Sequence, residues 1–424
     1  MRRTVFAPAP TGVGVPGAGV RFPRLERHAL TWLIILAIAL VVVPEAINHI
    51  FVKHSPDLPP LEQSEGSSEV PLAHLARLGG SAVLLAYTAA VVMFVHGRQD
   101  RSITGVLILL LAVDVPYIIS PGLPPTGDFP KILLANLFVI ALWKTGASID
   151  ALKWLPIIGT GIGVYSLIGG FLAPDYMMYN IVSEKAIIGG WELAGPFGHG
   201  NVLGMFCAVA FSLVPLLRDR RWQLFCGAVL FVTILASASR TAVIAAVLVS
   251  LWWTACRVRW LVDVRFAGTV FVSAAALTML VLPFLPWDPD SFTDRASVWA
   301  ASIAEWQHSP LVGLGVNWFL IDAQSNANVA AWAYVGTGHN LVVDTLVKSG
   351  VIGLAVLAPV VVIAILSARN LEMGQRIALF GYLGAFFVAA STEAVWALLP
   401  NLQLFPISGM IFAMLVLARY KGPT

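Results

Sequence analysis

The chain has 424 residues, of which 58% are hydrophobic and only 12% charged, with a mean hydropathy of +0.82. Soluble domains carry about 25% charged residues, so a soluble globular protein is excluded and a polytopic membrane protein is implied. The net charge of +3 needs no nucleic acid to explain it, because basic residues that bias loops toward the cytoplasm suffice as a cause.

Residues 1–28 are rich in Pro and Gly and carry Arg2, Arg3, Arg21, Arg24 and Arg27. They read as a basic, disordered cytoplasmic tail rather than a cleaved signal peptide, since no small-residue cleavage site follows the first apolar run. Apolar windows long enough to cross a bilayer then predict twelve transmembrane helices, at about 29–47, 74–95, 103–119, 131–147, 154–172, 200–217, 222–238, 240–256, 265–287, 341–366, 376–391 and 403–419. The tight turns near Asp219 and Ser239 force short spans, and the tenth span has a second possible start at Gly350. Cys207, Cys226 and Cys256 all fall in or at the ends of apolar runs, with neither a disulfide framework nor zinc spacing.

The domain plan that follows is a tail (1–28), nine spans (29–287), an extracytoplasmic loop (288–340), and three spans with a short tail (341–424). With the N-terminus inside, nineteen of the 26 Lys and Arg residues fall on inside loops and seven outside. The reverse orientation violates the positive-inside bias at nearly every loop. Both termini are therefore expected in the cytoplasm. Inside loops are little more than turns, whereas the outside loops 48–73, 173–199 and 288–340 are long, and long ordered loops tend to carry function. The first, with Glu62, Glu65 and Glu69, reads as a solvated linker.

Chemistry-bearing residues gather outside. Gly195-Pro196-Phe197-Gly198-His199-Gly200-Asn201 precedes the sixth span, and Ser237-Ala238-Ser239-Arg240-Thr241-Ala242 forms a tight turn. An arginine so close to the bilayer carries a cost of at least ~2.5–3.5 kcal/mol if buried. Arg240 either snorkels to lipid headgroups or grips a phosphate with its guanidinium fork. Thr293-Asp294 looks like a cap for a helix beginning at Arg295. Trp299, Ile303 and Trp306 would line its apolar face, as in an amphipathic helix lying on the membrane. Arg295 then either pairs with Asp294 or a lipid phosphate, or binds an anionic ligand.

His339, between Gly338 and Asn340, is either a hydrogen-bonded structural residue or a proton acceptor. Glu393, at the outer end of the eleventh span, either orients His339 as a triad carboxylate does or pairs with an arginine. Asp288 and Asp290 read as a turn around Pro289 rather than a metal pair. Asp344 and Lys348 read as a structural i,i+4 pair. Most tryptophans read as interface anchors, with Trp299 a candidate for stacking on a sugar ring.

Taken together and in order, these motifs resemble the O-antigen ligase and Wzy-type polymerase superfamily over about residues 190–400. The resemblance rests on the Gly195–Asn201 turn, on Ser239-Arg240-Thr241-Ala242, and on the Arg295 helix followed by Pro310-Leu311-Val312-Gly313-Leu314-Gly315. It also rests on Gly338-His339-Asn340 followed by Gly350-Val351-Ile352-Gly353. It implies an all-α, GT-C-like integral membrane glycosyltransferase with a large periplasmic loop between helices nine and ten, in the bacterial inner membrane. Arg240 and Arg295 would hold the diphosphate of an undecaprenyl-diphosphate-linked glycan, His339 would be the general base, and Glu393 the implicated carboxylate. The reaction would be inverting and metal-independent, with no cofactor and with lipid A-core or another glycan as acceptor. His199, Asn201, Asn340 and Trp299 complete the candidate substrate-binding set.

The physics agrees with such a reaction. No ATP exists outside the membrane, so the donor must arrive activated, and a lipid diphosphate is such a leaving group. Two guanidiniums can stabilise the charge that grows on it. A transporter is the rival from another class, yet transporter sites lie near the midplane among internal repeats, and no clear repeat is present here. A scaffold that merely binds lipid headgroups is the second rival.

Overall fold

A computed structural model describes residues 23–53, 69–95, 103–121, 128–180, 187, 190–258, 263–319, 336–393 and 405–418. Residues 1–22 of the expected 1–28 tail, the acidic residues Glu62 and Glu65, Trp332 and the C-terminal residues 419–424 lie outside the described residues, whereas 23–28 are helical and open the first helix rather than continuing a disordered tail.

The chain is a helical membrane protein. Its principal helices are α1 (Pro23–Phe51), α2 (Pro71–Phe94), α3 (Thr104–Ile118), α4 (Phe129–Thr145), α5 (Trp154–Leu172), α6 (Gly200–Ser212), α7 (Arg220–Ala236), α8 (Arg240–Arg257) and α9 (Val264–Val281). They continue with α10 (Arg295–Trp306), α11 (Leu341–Arg369), α12 (Met373–Ala390) and α13 (Phe405–Leu417). Each of the twelve predicted windows overlaps one of these helices, and α10 is the additional one, within the 288–340 loop. Among the described residues, six segments are long and apolar enough to cross a membrane: His28–Phe51, Pro71–Phe94, Ile149–Leu172, Val264–Phe284, Leu341–Arg369 and Met373–Ala390. The turns that divide the shorter helices are capped by side chains, as expected for helix starts. Asp219 accepts the Arg221 N–H at 2.7 Å and Asp263 the Arg265 N–H at 2.8 Å.

Among the described residues there is one small departure from all-α. Between α5 and α6, strands β1 (Met178–Asn180) and β2 (Trp191–Leu193) pair antiparallel, with Tyr179 opposite Glu192.

Helix α12 is the axis of the bundle. Phe380, Tyr382, Phe386 and Phe387 are fully enclosed, together with Phe412 of α13. Trp252 of α8 donates its indole N–H to Ile377 O at 2.9 Å. Its ring stacks on Phe271 of α9 and meets Phe380 edge-on. Lipid is as apolar as these side chains, so close packing rather than the hydrophobic effect holds such a core. Its consequence for function is positional: a rigidly packed α12 fixes where its C-terminal end, Ser391-Thr392-Glu393, emerges.

Helix α11 is broken. Gly350 has φ 62° and ψ −161°, a conformation that suits glycine. The N–H groups freed at the break bond elsewhere: Val351 N donates to Pro310 O at 2.9 Å and Ile352 N to Leu311 O at 3.1 Å. The Pro310–Gly315 segment therefore docks into the gap, where a Cβ on Gly350 would come within 2.3 Å of the Leu311 carbonyl. The two starts read for the tenth span thus correspond to two helical pieces, one before Gly350 and one after it.

Candidate active site

The corner at the C-terminal end of α12 gathers the starts of four helices. Helix α6 begins after His199, α8 after Ser239, α10 at Arg295 and α11 after Asn340. Three of these starts are capped by the side chains of His199, Ser239 and Asn340. Each helix start presents a positive dipole end and unpaired N–H groups. A corner built from four of them favours an anion.

Close contacts hold the starts together. A Cβ on Gly200 would lie 2.4 Å from both Glu192 Cγ and Ser237 O, so only glycine lets the first turn of α6 lie against β2 and the turn before α8. Thr241 Oγ1 is 3.0 Å from Thr392 Oγ1, which joins the head of α8 to the residue beside Glu393. Asn340 Oδ1 accepts the N–H groups of Val342 and Val343, while its Nδ2 donates to Met279 O at 3.1 Å and Ser391 O at 3.0 Å. Asp344 accepts the Gly338 N–H at 3.1 Å and pairs with Lys348 at 2.8 Å, the structural pair read from the sequence.

Glu393 stands at the centre and is only 4% exposed. Its Oε1 is hydrogen-bonded to the Arg295 guanidinium and accepts from Asn201 Nδ2 at 3.3 Å. Its Oε2 lies 3.5 Å from His339 Nδ1, an ion-pair distance at the outer limit of a hydrogen bond. Burial by itself would raise this carboxyl, but the His339 contact and the charges of Arg295, His339 and His199 outweigh it and hold Glu393 below the usual range. Both alternatives for Glu393 hold at once: it faces His339 and it pairs with an arginine. Arg295 and His339 remain partly open, with side chains 19% and 22% exposed. His339 has φ 46° and is preceded across the corner by Phe292, Thr293 and Asp294, all with positive φ. Such backbone costs roughly 1–3 kcal/mol per residue and clusters at functional sites.

Of the sequence-predicted residues, the structure joins Arg295, His339, Glu393 and Asn201 directly. Arg240 is exposed at the head of α8, next to the Thr241–Thr392 contact. His199 lies 2.8 Å from Glu192. Four expectations change. Asn340 is fully buried and its amide is committed to backbone partners, so it frames the site rather than facing it. Trp299 is 1% exposed, packed with Trp318, Phe319, Val343 and Val347, which leaves no open ring face for a sugar. The same packing covers the apolar face of α10 with α11, so that face does not lie on the bilayer. Asp294 sits at the cap position of α10, but its side chain makes no capping bond. Arg295 pairs with Glu393 and not with Asp294.

Sequence reading passes over Glu192. Its one signal is a lone carboxylate seven residues before His199, in a segment of glycine and apolar residues. Asp288 and Asp290 are exposed on the approach to α10 and take no part in the cluster.

Residues 225–358 match the family model described as O-antigen ligase. The resemblance to the O-antigen ligase and Wzy superfamily is borne out. The matched stretch contains Arg240, Arg295 and His339, whereas His199, Asn201 and Glu393 lie on either side of it. No curated protein matches the chain.

Proposed function

We propose that the chain is a membrane glycosyltransferase of the O-antigen ligase type. It moves a glycan from an undecaprenyl-diphosphate carrier to a hydroxyl of lipid A-core on the outer face of the bacterial cytoplasmic membrane. In this reading all twelve long helices other than α10 cross the membrane, and the four-helix corner faces the periplasm. The observation that carries it is Glu393: one buried carboxylate holds a guanidinium and an imidazole side by side, both still partly open.

Arg240 and Arg295, with the helix starts behind them, supply fixed positive charge where the diphosphate gains negative charge as the glycosidic bond breaks. His339 Nδ1 faces Glu393, which leaves Nε2 to take the proton of the acceptor hydroxyl. Attack from the side opposite the diphosphate inverts the anomeric centre. Arginine charge in place of a metal ion makes the reaction metal-independent.

The test is reconstitution with an undecaprenyl-diphosphate glycan, with and without EDTA, offering lipid A-core in one arm and a second lipid-linked repeat unit in another. Transfer to lipid A-core that survives EDTA is expected. Transfer only between repeat units would make the chain a polymerase, inhibition by EDTA would overturn the metal-free mechanism, and a silent His339→Ala would remove the general base.

A further inference from the structure

Arg265, Arg369 and Arg376 gather at the end of the bundle opposite Glu393. Helices α9 and α12 run parallel, because a Cβ on Gly268 would meet the Phe380 ring and one on Gly384 the Phe271 ring. Arg376 lies one turn before Phe380 and Arg265 nearly one turn before Gly268, so both sit where these helices begin. The charge of Arg265 is felt at Arg376, ahead of that of Asp263. Helix α11 runs the other way: Asn340 at its head bonds Met279 O near the end of α9, so Arg369 at its foot lies by the start of α9.

Among the described residues, none of these three arginines forms an ion pair. Two carboxylates at this end hold other donors. Asp263 accepts the Arg265 backbone N–H at 2.8 Å, and Asp150 the Gln375 amide at 2.9 Å. Glu372 is exposed. Arg265 and Arg369 are exposed, and snorkelling to a membrane surface accounts for an exposed arginine. Arg376 is different. It is 8% exposed, it donates to Leu371 O at 2.6 Å, and its Nε has no partner among the described residues. A buried guanidinium with a bond unmade is costly and calls for a nearby anion.

An open groove of about 460 Å³ leads away from these charges. It follows α9 past Phe266, Val270, Ser273, Ala274 and Leu277, and Arg369 lines it as well. Ser273 and Ala274 are small, so the surface dips between Val270 and Leu277. Arg265 shares this face, one turn from Thr269, another lining residue whose hydroxyl donates to Arg265 O at 2.8 Å. From Phe266 to Leu277 the helix rises about 16 Å, close to one leaflet of a hydrocarbon core of ~30 Å. The groove is therefore cationic at one end and apolar for the depth of one leaflet.

We propose that this groove binds an anionic phospholipid of the leaflet opposite the Glu393 corner, with its phosphate against Arg369 and Arg265 and one acyl chain along α9. Arg376 adds a third positive charge behind them, which favours a headgroup of net negative charge over a zwitterionic one. An undecaprenyl chain is several times longer than the groove, so a diacyl lipid is the better fit. The orientation proposed above puts the site in the cytoplasmic leaflet. Binding there does not depend on glycosyl transfer, so the two readings fail separately.

The test is native mass spectrometry of the full chain, released from detergent and titrated with phosphatidylglycerol or phosphatidylcholine of identical acyl chains. Wild type is expected to bind phosphatidylglycerol about tenfold more tightly, the scale of one charge-assisted contact. Arg369→Gln should bring the two lipids within about twofold of each other. Ala274→Phe fills the groove and keeps every charge, and should weaken phosphatidylglycerol about tenfold or more, since the chain loses its place along α9. Both positions are exposed, and an unchanged unfolding temperature checks the fold; Arg369→Gln decides by itself if Ala274→Phe does not fold. Equal affinities in wild type, a preference that survives Arg369→Gln, or undiminished binding in Ala274→Phe overturns the site. Displacement by inorganic phosphate at equal concentration assigns the arginines to a free anion and overturns the lipid. Tighter binding of undecaprenyl phosphate, lost in the same variants, assigns the groove to the carrier and overturns the phospholipid.

Discussion

The two Glu–His pairs use the same groups in different settings. Glu192 is held by a backbone N–H and sits in a paired strand, so its position is set by secondary structure. Glu393 is held by side chains, the Arg295 guanidinium and the Asn201 amide, and its imidazole is more distant, at 3.5 Å against 2.8 Å. A backbone partner cannot leave, whereas a guanidinium can turn to a better anion. In the proposed reaction an arriving diphosphate competes with Glu393 for Arg295, and the carboxylate is then released toward His339. The pair on β2 is a fixed device, and the pair beyond α12 is an exchangeable one.

The largest effect that would break this contrast is at the exchangeable pair. Arg295→Ala and His339→Ala should each lower glycan transfer about 10²- to 10³-fold, the scale of one electrostatic contact or one general base, with expression and unfolding temperature near wild type. Comparable activity in either variant would remove that residue from the chemistry. Glu393→Gln should cost about 10²-fold, because it keeps the volume but leaves Arg295 without its counter-charge.

The same variant sharpens the electrostatics. The folded-state carboxyl of Glu393 is held low, so its contribution to stability is fully present above the ordinary glutamate value of about 4.3. That contribution is lost as pH falls through the lower folded value. The gap in unfolding temperature between wild type and Glu393→Gln should be constant from neutral pH down to about 5, then shrink on further acidification. A gap that widened on acidification would contradict the bridging geometry.

Smaller effects test the fixed pair's frame. Gly200→Ala forces a methyl into Glu192 and Ser237 O and should destabilise by about 1–3 kcal/mol, the usual cost of overpacking, read as a lower unfolding temperature. The smallest effect belongs to Asp288→Asn with Asp290→Asn. Both residues are exposed and outside the cluster, so transfer should stay within about twofold of wild type.

Much of this site was legible as residue types but not as partners. Arg240, Arg295, His339 and Glu393 announce themselves because charged groups at a bilayer surface are costly and so need a cause. The glycine-rich turns announce close approach. Sequence spacing carries no information on which of two arginines meets a carboxylate 98 residues away in the chain. Trp299 shows the limit most clearly. Its i, i+4, i+7 pattern with Ile303 and Trp306 identifies an apolar face correctly, but a face that meets lipid and a face that meets α11 have the same period. Glu192 was invisible because a single glutamate in a loop between helices is ordinarily solvated.

The sequence by itself determined the membrane class, the helical segments, the expected sidedness and the identity of the charged groups. These follow from composition, period and the cost of moving charge into lipid, which act locally along the chain. Only the tertiary structure decided that four helices start at one corner, that α11 breaks at Gly350 to receive the Pro310–Gly315 segment, and that Glu393 serves an arginine and a histidine together. Those are long-range packing outcomes, fixed by which surfaces interlock around α12, and no local preference encodes them.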